Sequence, residues 1–212
     1  PNYNGNQGIV QVFTANDTAG WSQLGDDLAG DTSGELFGTS IAMSKTEQPY
    51  LVIGSPYRVF EGEAQSRGAV QLFHWRNLAF GAPSAWHRVG GILEGSAEND
   101  HFGTSVAISH DGGRIAASSR DHDLRRGYVA VYDRDTYDSL TLKSSLLSGE
   151  RQRDEWGASV SINGPGSVVV SGAGWSQQAL DVGSVVAFID DASSCQDPAD
   201  GLSLIHISEP TR

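Results

Sequence analysis

The 212-residue sequence predicts an all-β protein. No stretch sustains an apolar period near 3.6 residues, so no amphipathic helix is expected. Short segments instead alternate large apolar and small residues, as half-buried strands do, with turn residues between them. The same segments recur along the chain, and a repeated strand-and-turn unit specifies a repeated sheet. The 26 glycines agree with a fold rich in tight turns.

Three anchors define the repeat. The first is a Gly-x-Val-x-apolar-aromatic run at Gly8–Phe13, Gly68–Phe73 and Gly127–Tyr132, with a looser copy at Gly183–Phe188. The second is an aromatic-Gly-x-Ser step: Phe37, Gly38 and Ser40; Phe102, Gly103 and Ser105; Trp156, Gly157 and Ser159. The third is Gly30, Gly95 and Gly149, each seven residues before its aromatic.

Each unit reads as four strands. The first strands are Ser40–Ser44, Ser105–Ser109 and Ser159–Asn163, and the second are Tyr50–Ile53, Arg114–Ala117 and Ser167–Val170. Glu47–Pro49, Asp111–Gly113 and Gly164–Gly166 turn the chain between them. The Gly-x-Val runs are third strands. Fourth strands are expected around Trp21, Leu24 and Leu28, around Trp86, Val89, Ile92 and Leu93, and around Leu142, Leu146 and Leu147. Trp21 and Trp86, at matching places, are expected to pack.

Four-stranded units recurring about every 55–65 residues suit the blades of a β-propeller. The reading is a partial propeller of about three blades plus one extra strand. Its repeats span residues 8–67, 68–126 and 127–182, and the strand covers 183–190. Residues 1–7 are an N-terminal remnant and 191–201 a linker. Residues 202–212 continue no pattern of the chain and read as the in-frame translation of a sequencing adapter, so they and His206 are set outside the expected fold. An open arc leaves apolar blade faces uncovered, and residues 1–201 are therefore expected to associate or to be poorly soluble.

Phe37-Gly-x-Ser40 followed by Leu51–Pro56 resembles the FG-GAP repeat of the integrin α-subunit N-terminal propeller. Gly54-Ser-Pro56 stands for the Gly-Ala-Pro of that repeat. The resemblance covers about residues 8–190. It is weaker in the second unit, where Ala117–Arg120 replaces Gly-Ala-Pro, and in the third, which reads Ser171–Gly174. It implies an extracellular or cell-surface adhesion module whose inter-strand loops contact a protein, glycan or matrix ligand. It also implies calcium loops between first and second strands in some blades. The matching loops here, Ser44–Pro49, His110–Arg114 and Asn163–Gly166, hold one Glu, one Asp and no acid, too few oxygens for a calcium cage. Calcium is expected only in blades outside this sequence, and no other cofactor is expected.

The net charge of −12 argues against a nucleic-acid partner. No run of about 18 apolar residues is present, so membrane insertion is not expected. The densest charged loop contains Asp121, His122, Asp123, Arg125 and Arg126; with Tyr57–Arg67 it is the first candidate for a rim binding site, against a plain solvated connector. Catalysis is not expected. The natural histidines His74, His87, His101, His110 and His122 show no metal-ligand spacing. No Gly-x-Ser-x-Gly elbow occurs, and Ser40, Ser105 and Ser159 recur in every unit, as a turn or strand-start residue does. Cys195 stands alone, and Asn16-Asp-Thr18 fits a glycosylation acceptor. Two other readings stand beside adhesion: the accessory propeller of a larger secreted hydrolase, as the FG-GAP repeats resemble those of glycosylphosphatidylinositol phospholipase D, and a purely structural repeat scaffold.

Overall fold

The computed structural model describes residues 4–16, 20–77, 82–143, 147–174, 184–189 and 203–207. Cys195, the 191–201 linker, Asp17 and Thr18 of the acceptor pattern, Leu146 and Gly183 lie outside the described residues. The fold is all-β, and its sheets are antiparallel throughout.

Two short pairs open the chain. Strand β1 (Ile9–Val10) pairs with β4 (Leu28–Ala29), and β2 (Phe13–Asn16) with β3 (Gly20–Gln23). A four-stranded sheet follows in chain order: β5 (Ser40–Met43), β6 (Tyr50–Ser55), β7 (Ala69–Arg76) and β8 (Ala85–Glu94). The next holds β9 (Ser105–Ile108), β10 (Arg114–Ser119), β11 (Tyr128–Arg134) and β12 (Leu140–Leu142), with β13 (Leu147–Ser148) also on β11. The last holds β14 (Trp156–Ile162), β15 (Val168–Ala173), β16 (Ser184–Ile189) and β17 (Ser203–Ile207). Each full sheet thus starts at or just after an aromatic-Gly-x-Ser step. The Gly-x-Val runs from Gly68 and Gly127 enter as third strands, β7 and β11, so a repeat counted from either glycine crosses from one sheet into the next.

Residues 203–207, set outside the expected fold, pair with β16 from Val185↔Ile207 to Ile189↔Ser203. The Ser-Leu-Ile-His-Ile alternation has strand character, and β16 offers an open edge that any such segment can satisfy. Trp21, expected to pack, is 73% exposed. Its cross-strand partner is Ala15, whereas Trp86 faces Trp75, with ring centroids 5.4 Å apart, and donates from Nε1 to the Leu24 carbonyl at 2.9 Å. Matching places in the repeat therefore meet different neighbours.

Consecutive sheets stack face to face. Tyr50, Val52, Val70, Leu72 and Val89 of one sheet meet Val106, Ile108, Ile115, Ala117, Tyr128 and Ala130 of the next. Ala116, Val129 and Val131 then meet Val169 and Phe188. Period-2 alternation explains both layers, because neighbouring residues of one strand serve opposite interfaces. Backbone contacts link the sheets as well: Lys45 N–H donates to His110 O at 2.9 Å, and His110 N–H donates to Gly164 O at 2.9 Å. These three residues hold the same place in their units, directly after the first strand.

Candidate functional site

The junctions between units are built on one plan. Gly8, Gly68 and Gly127 have φ of 88°, 81° and 75°, a left-handed conformation suited to glycine. A Cβ on any of them would collide with the carbonyl of Phe37, Phe102 or Trp156, respectively. Isolated parallel bridges join Gly68 to Phe102 and Gly127 to Trp156. Gly30, Gly95 and Gly149 donate to the carbonyls of Gly8, Gly68 and Gly127, at 3.2 Å in each case. The seven-residue offset between these glycines and the aromatics is thus the length of one turn folded back on the preceding strand. The aromatics Phe37, Phe102 and Trp156 are buried there, against Phe73, Tyr128 and Phe188 in turn. Gly54 lies against the Gly103 carbonyl, which also accepts from the Ser40 hydroxyl at 2.7 Å, and Pro56 is buried directly after β6.

A fourth repeated element escapes a reading by residue type. Glu35, Asp100 and Asp154, each two residues before the aromatic, are all buried acids. They accept backbone N–H groups at the start of their own turns: Asp31, Ala97 (2.8 Å) and Arg151 (2.9 Å), respectively. The only sequence signal is a carboxylate at a fixed offset, and the change between Glu and Asp hides it from an identity match.

Around this shared frame the second junction opens a cleft of about 720 Å³, lined by Tyr57, residues 97–101 and residues 120–125. Of the candidate loop, Asp121, His122, Asp123 and Arg125 line it. Arg126 does not; it pairs with Asp123 at 3.2 Å. The loop tip is a tight turn with Asp123, Leu124 and Arg125 at φ of 47°, 56° and 67°, so three consecutive side chains splay outward. Tyr57 is the member of the other candidate loop that reaches the cleft; Glu63 and Arg67 pair with each other instead.

Two histidine–carboxylate pairs hold the cleft. His101 Nδ1 lies 2.8 Å from Asp121 Oδ2, and His122 Nδ1 lies 2.8 Å from Asp100 Oδ1. His101 was absent from the candidate loop because it sits twenty residues earlier, in the turn before Phe102. It adopts a φ of 52°, and Tyr57 packs over it with centroids 4.7 Å apart. Asp100 also accepts from Ser96 Oγ at 2.7 Å and lies 3.4 Å from the Tyr128 hydroxyl. Burial, with the Asp100 charge added, pushes the Tyr128 phenol far above its usual range, so it remains a proton donor to Asp100. Arg125 bridges to the next junction through Glu155 at 3.0 Å. The floor is therefore a satisfied polar network, while the Tyr57 ring, Leu124 and the Arg125 side chain stay in reach of solvent.

The first-to-second-strand turns have another character. Asp111 accepts from Ser109 Oγ and from Gly113 N–H at 2.9 Å, bonds that hold its carboxyl below the usual range. Among the described residues no group of three or more His, Cys, Asp or Glu side chains is arranged to hold a metal ion. No helix among them is long and apolar enough to cross a membrane. No family model matches the chain, and no curated protein matches it.

Proposed function

We propose that the stacked sheets are consecutive blades of an FG-GAP-type β-propeller of the integrin-α-like kind. On this reading the chain acts as a non-catalytic binding module at the cell surface or outside the cell. Its partner is a protein, glycan or matrix component received in the cleft between Tyr57, His101 and Asp121. The repeated Gly–aromatic junctions and the Lys45–His110–Gly164 backbone links support a radial stack, since each interface repeats the one before it.

The observation that carries the binding role is where the units differ. The residue before the aromatic is Leu36, His101 or Glu155, with φ of 53°, 52° and 52°. The second residue after Ser55 is Tyr57, and the second after Ser119 is Asp121. Backbone geometry is held constant while the outward side chains change from apolar to imidazole to carboxylate. A scaffold that needed only packing has no use for such variety at its rim, whereas a recognition surface is made of it.

The reading is tested by passing the chain over immobilised laminin, collagen and a panel of neutral N-glycans in a surface-resonance assay. Saturable binding to one of these, weakened at least about tenfold by Tyr57→Ala combined with Asp121→Ala at unchanged melting temperature, is the expected result. Absence of saturable binding to any, or binding indifferent to both changes, overturns it.

A further inference from the structure

The second unit departs from the repeat after its second strand, and the departing residue lines the cleft. Gly54-Ser55-Pro56 and Ser118-Ser119-Arg120 are matching segments, by the registers Gly54↔Val70 and Ser118↔Val129. Pro56 is buried, whereas Arg120 is partly exposed and belongs to the cleft wall. Its side chain, 39% exposed, makes one loose bond, from Nε to Asp121 Oδ1 at 3.4 Å. Both terminal nitrogens of its guanidinium are without a partner among the described residues.

The acids nearby are in the opposite condition. Asp121 Oδ2 meets His101, and its Oδ1 lies between Arg120 and Arg125, at 3.4 and 3.8 Å. Asp100 accepts from Ser96 Oγ and from the Ala97 N–H. Asp123 pairs with Arg126 at 3.2 Å, and Glu155 with Arg125 at 3.0 Å. A guanidinium presents its N–H groups as a planar fork, and a carboxylate takes two of them at once. The open edge in the cleft is therefore a donor edge shaped for a carboxylate. The lining adds Glu98 and Asn99, both exposed. A glutamate side chain accepts from hydroxyls and repels a second anionic group.

We propose that the cleft receives a glycan ending in a sugar with a single carboxylate, of the sialic-acid type, and that this carboxylate seats on the Arg120 fork. The assignment rests on the cleft being a binding site and names what it binds. Tyr57, 45% exposed, offers an aromatic ring to the apolar face of the sugar. Hydroxyls of the same sugar meet Glu98 and Asn99. A polyanionic glycan is disfavoured by Glu98 in the lining and by the net charge of −12. An acidic peptide satisfies Arg120 but brings no row of hydroxyls for the other polar side chains. At the first junction Pro56 stands in the place of Arg120 and has no donor to offer.

Saturation-transfer NMR on the full chain compares 3′-sialyllactose with lactose, which differ by the acidic sugar. The expected result at about 1 mM sugar is transfer to sialyllactose, strongest at the acidic sugar, and none to lactose. Arg120→Gln is expected to weaken binding at least about tenfold at unchanged melting temperature. Arg126→Gln removes a charge outside the cleft and is expected to bind like the parent. Equal transfer to both sugars, no transfer to sialyllactose, or binding indifferent to Arg120→Gln overturns the inference. A peptide with one glutamate among neutral residues that binds as tightly as sialyllactose also overturns it, since the ligand is then a protein acid. Laminin separates this assignment from the binding role itself. Binding to laminin that sialidase treatment abolishes supports both. Binding that survives sialidase leaves the cleft a binding site and overturns the acidic sugar, and a chain that binds neither laminin, collagen nor any sugar overturns both.

Discussion

The junction around Phe37 and the junction around Phe102 share a backbone plan and differ in what closes the buried acid. At the first, Glu35 is fully buried and meets Arg58 at 3.0 Å. Arg58 also reaches Asp31 at 2.9 Å, and Arg88 joins Asp31 at 2.8 Å. Burial raises the Asp31 carboxyl, but the bonds from Arg58 and Arg88 outweigh it and hold the group below its usual range. At the second, the matching acid Asp100 meets His122, and the space beyond is the cleft. Arg58 and His122 occupy the same place, the third residue after Ser55 or Ser119. A guanidinium fork fills and locks the first junction, while the smaller imidazole leaves the second open. Arg58 in one repeat and His122 in the next thus accompany a filled junction and an open one.

The largest expected effect falls on what the junctions share. Gly68→Val forces a branched side chain into a left-handed conformation and against the Phe102 backbone. Strain and overpacking together are expected to cost about 3–5 kcal/mol, read as a large loss in a urea midpoint. A change of under about 1 kcal/mol would mean that the shared turn is not what joins the sheets.

A smaller effect separates the two junctions. Glu35→Ala leaves Arg58 in a buried site without its carboxylate partner, and breaking such a pair costs about 3–5 kcal/mol at most. Partial access of Arg58 and the remaining Asp31 bond lower that, so about 2–3 kcal/mol is expected. Asp100→Asn keeps the shape and one acceptor, so about 1–2 kcal/mol is expected. Equal losses in the two variants would erase the contrast drawn above.

The smallest effect lies at the opposite end of the same sheet interface. There Asp138 accepts from the Tyr50 hydroxyl at 3.1 Å and pairs with Arg76 and Arg134, each at 3.0 Å. His74 stacks on Tyr50 with centroids 3.9 Å apart, and burial holds its imidazole below the usual range against the pull of Asp138. The unfolded chain, with histidine near pH 6.5, therefore binds a proton first on acidification. The stability contributed by neutral His74 is complete above about pH 6.5 and drains away as the pH falls through the folded-state value. His74→Phe is expected to lessen the drop in melting temperature between pH 7 and pH 5, and an undiminished drop would contradict this.

Strand positions were legible because alternation and turn residues act locally. The readings Ser40–Ser44, Tyr50–Ile53 and Ser105–Ser109 fall within two residues of the strands Ser40–Met43, Tyr50–Ser55 and Ser105–Ile108. The aromatic-Gly-x-Ser step was legible for the same reason. The partners of each junction were not: Glu35 with Arg58 and Asp100 with His122 are more than twenty residues apart and match in charge, not in identity. Half of the cleft was visible as the charged loop at Asp121–Arg126. The other half, Tyr57 from the preceding unit and His101 from twenty residues earlier in the same unit, is set by the stacking of sheets, which no single segment encodes. Trp21 shows the converse, since a repeat position predicts packing only when its cross-strand partner repeats too.

The central claim is that residues shared among the units hold the sheets while residues that differ form the cleft. Its most direct test is one paired measurement, melting temperature and matrix or glycan binding, on Phe102→Ala and on Tyr57→Ala with Asp121→Ala. The account predicts that Phe102→Ala loses about 3–5 kcal/mol of stability. The cleft pair is expected to stay within about 0.5–1 kcal/mol of the parent and to lose binding. A Phe102→Ala chain as stable as the parent, or a cleft pair that unfolds the protein while binding persists in whatever remains folded, would contradict it.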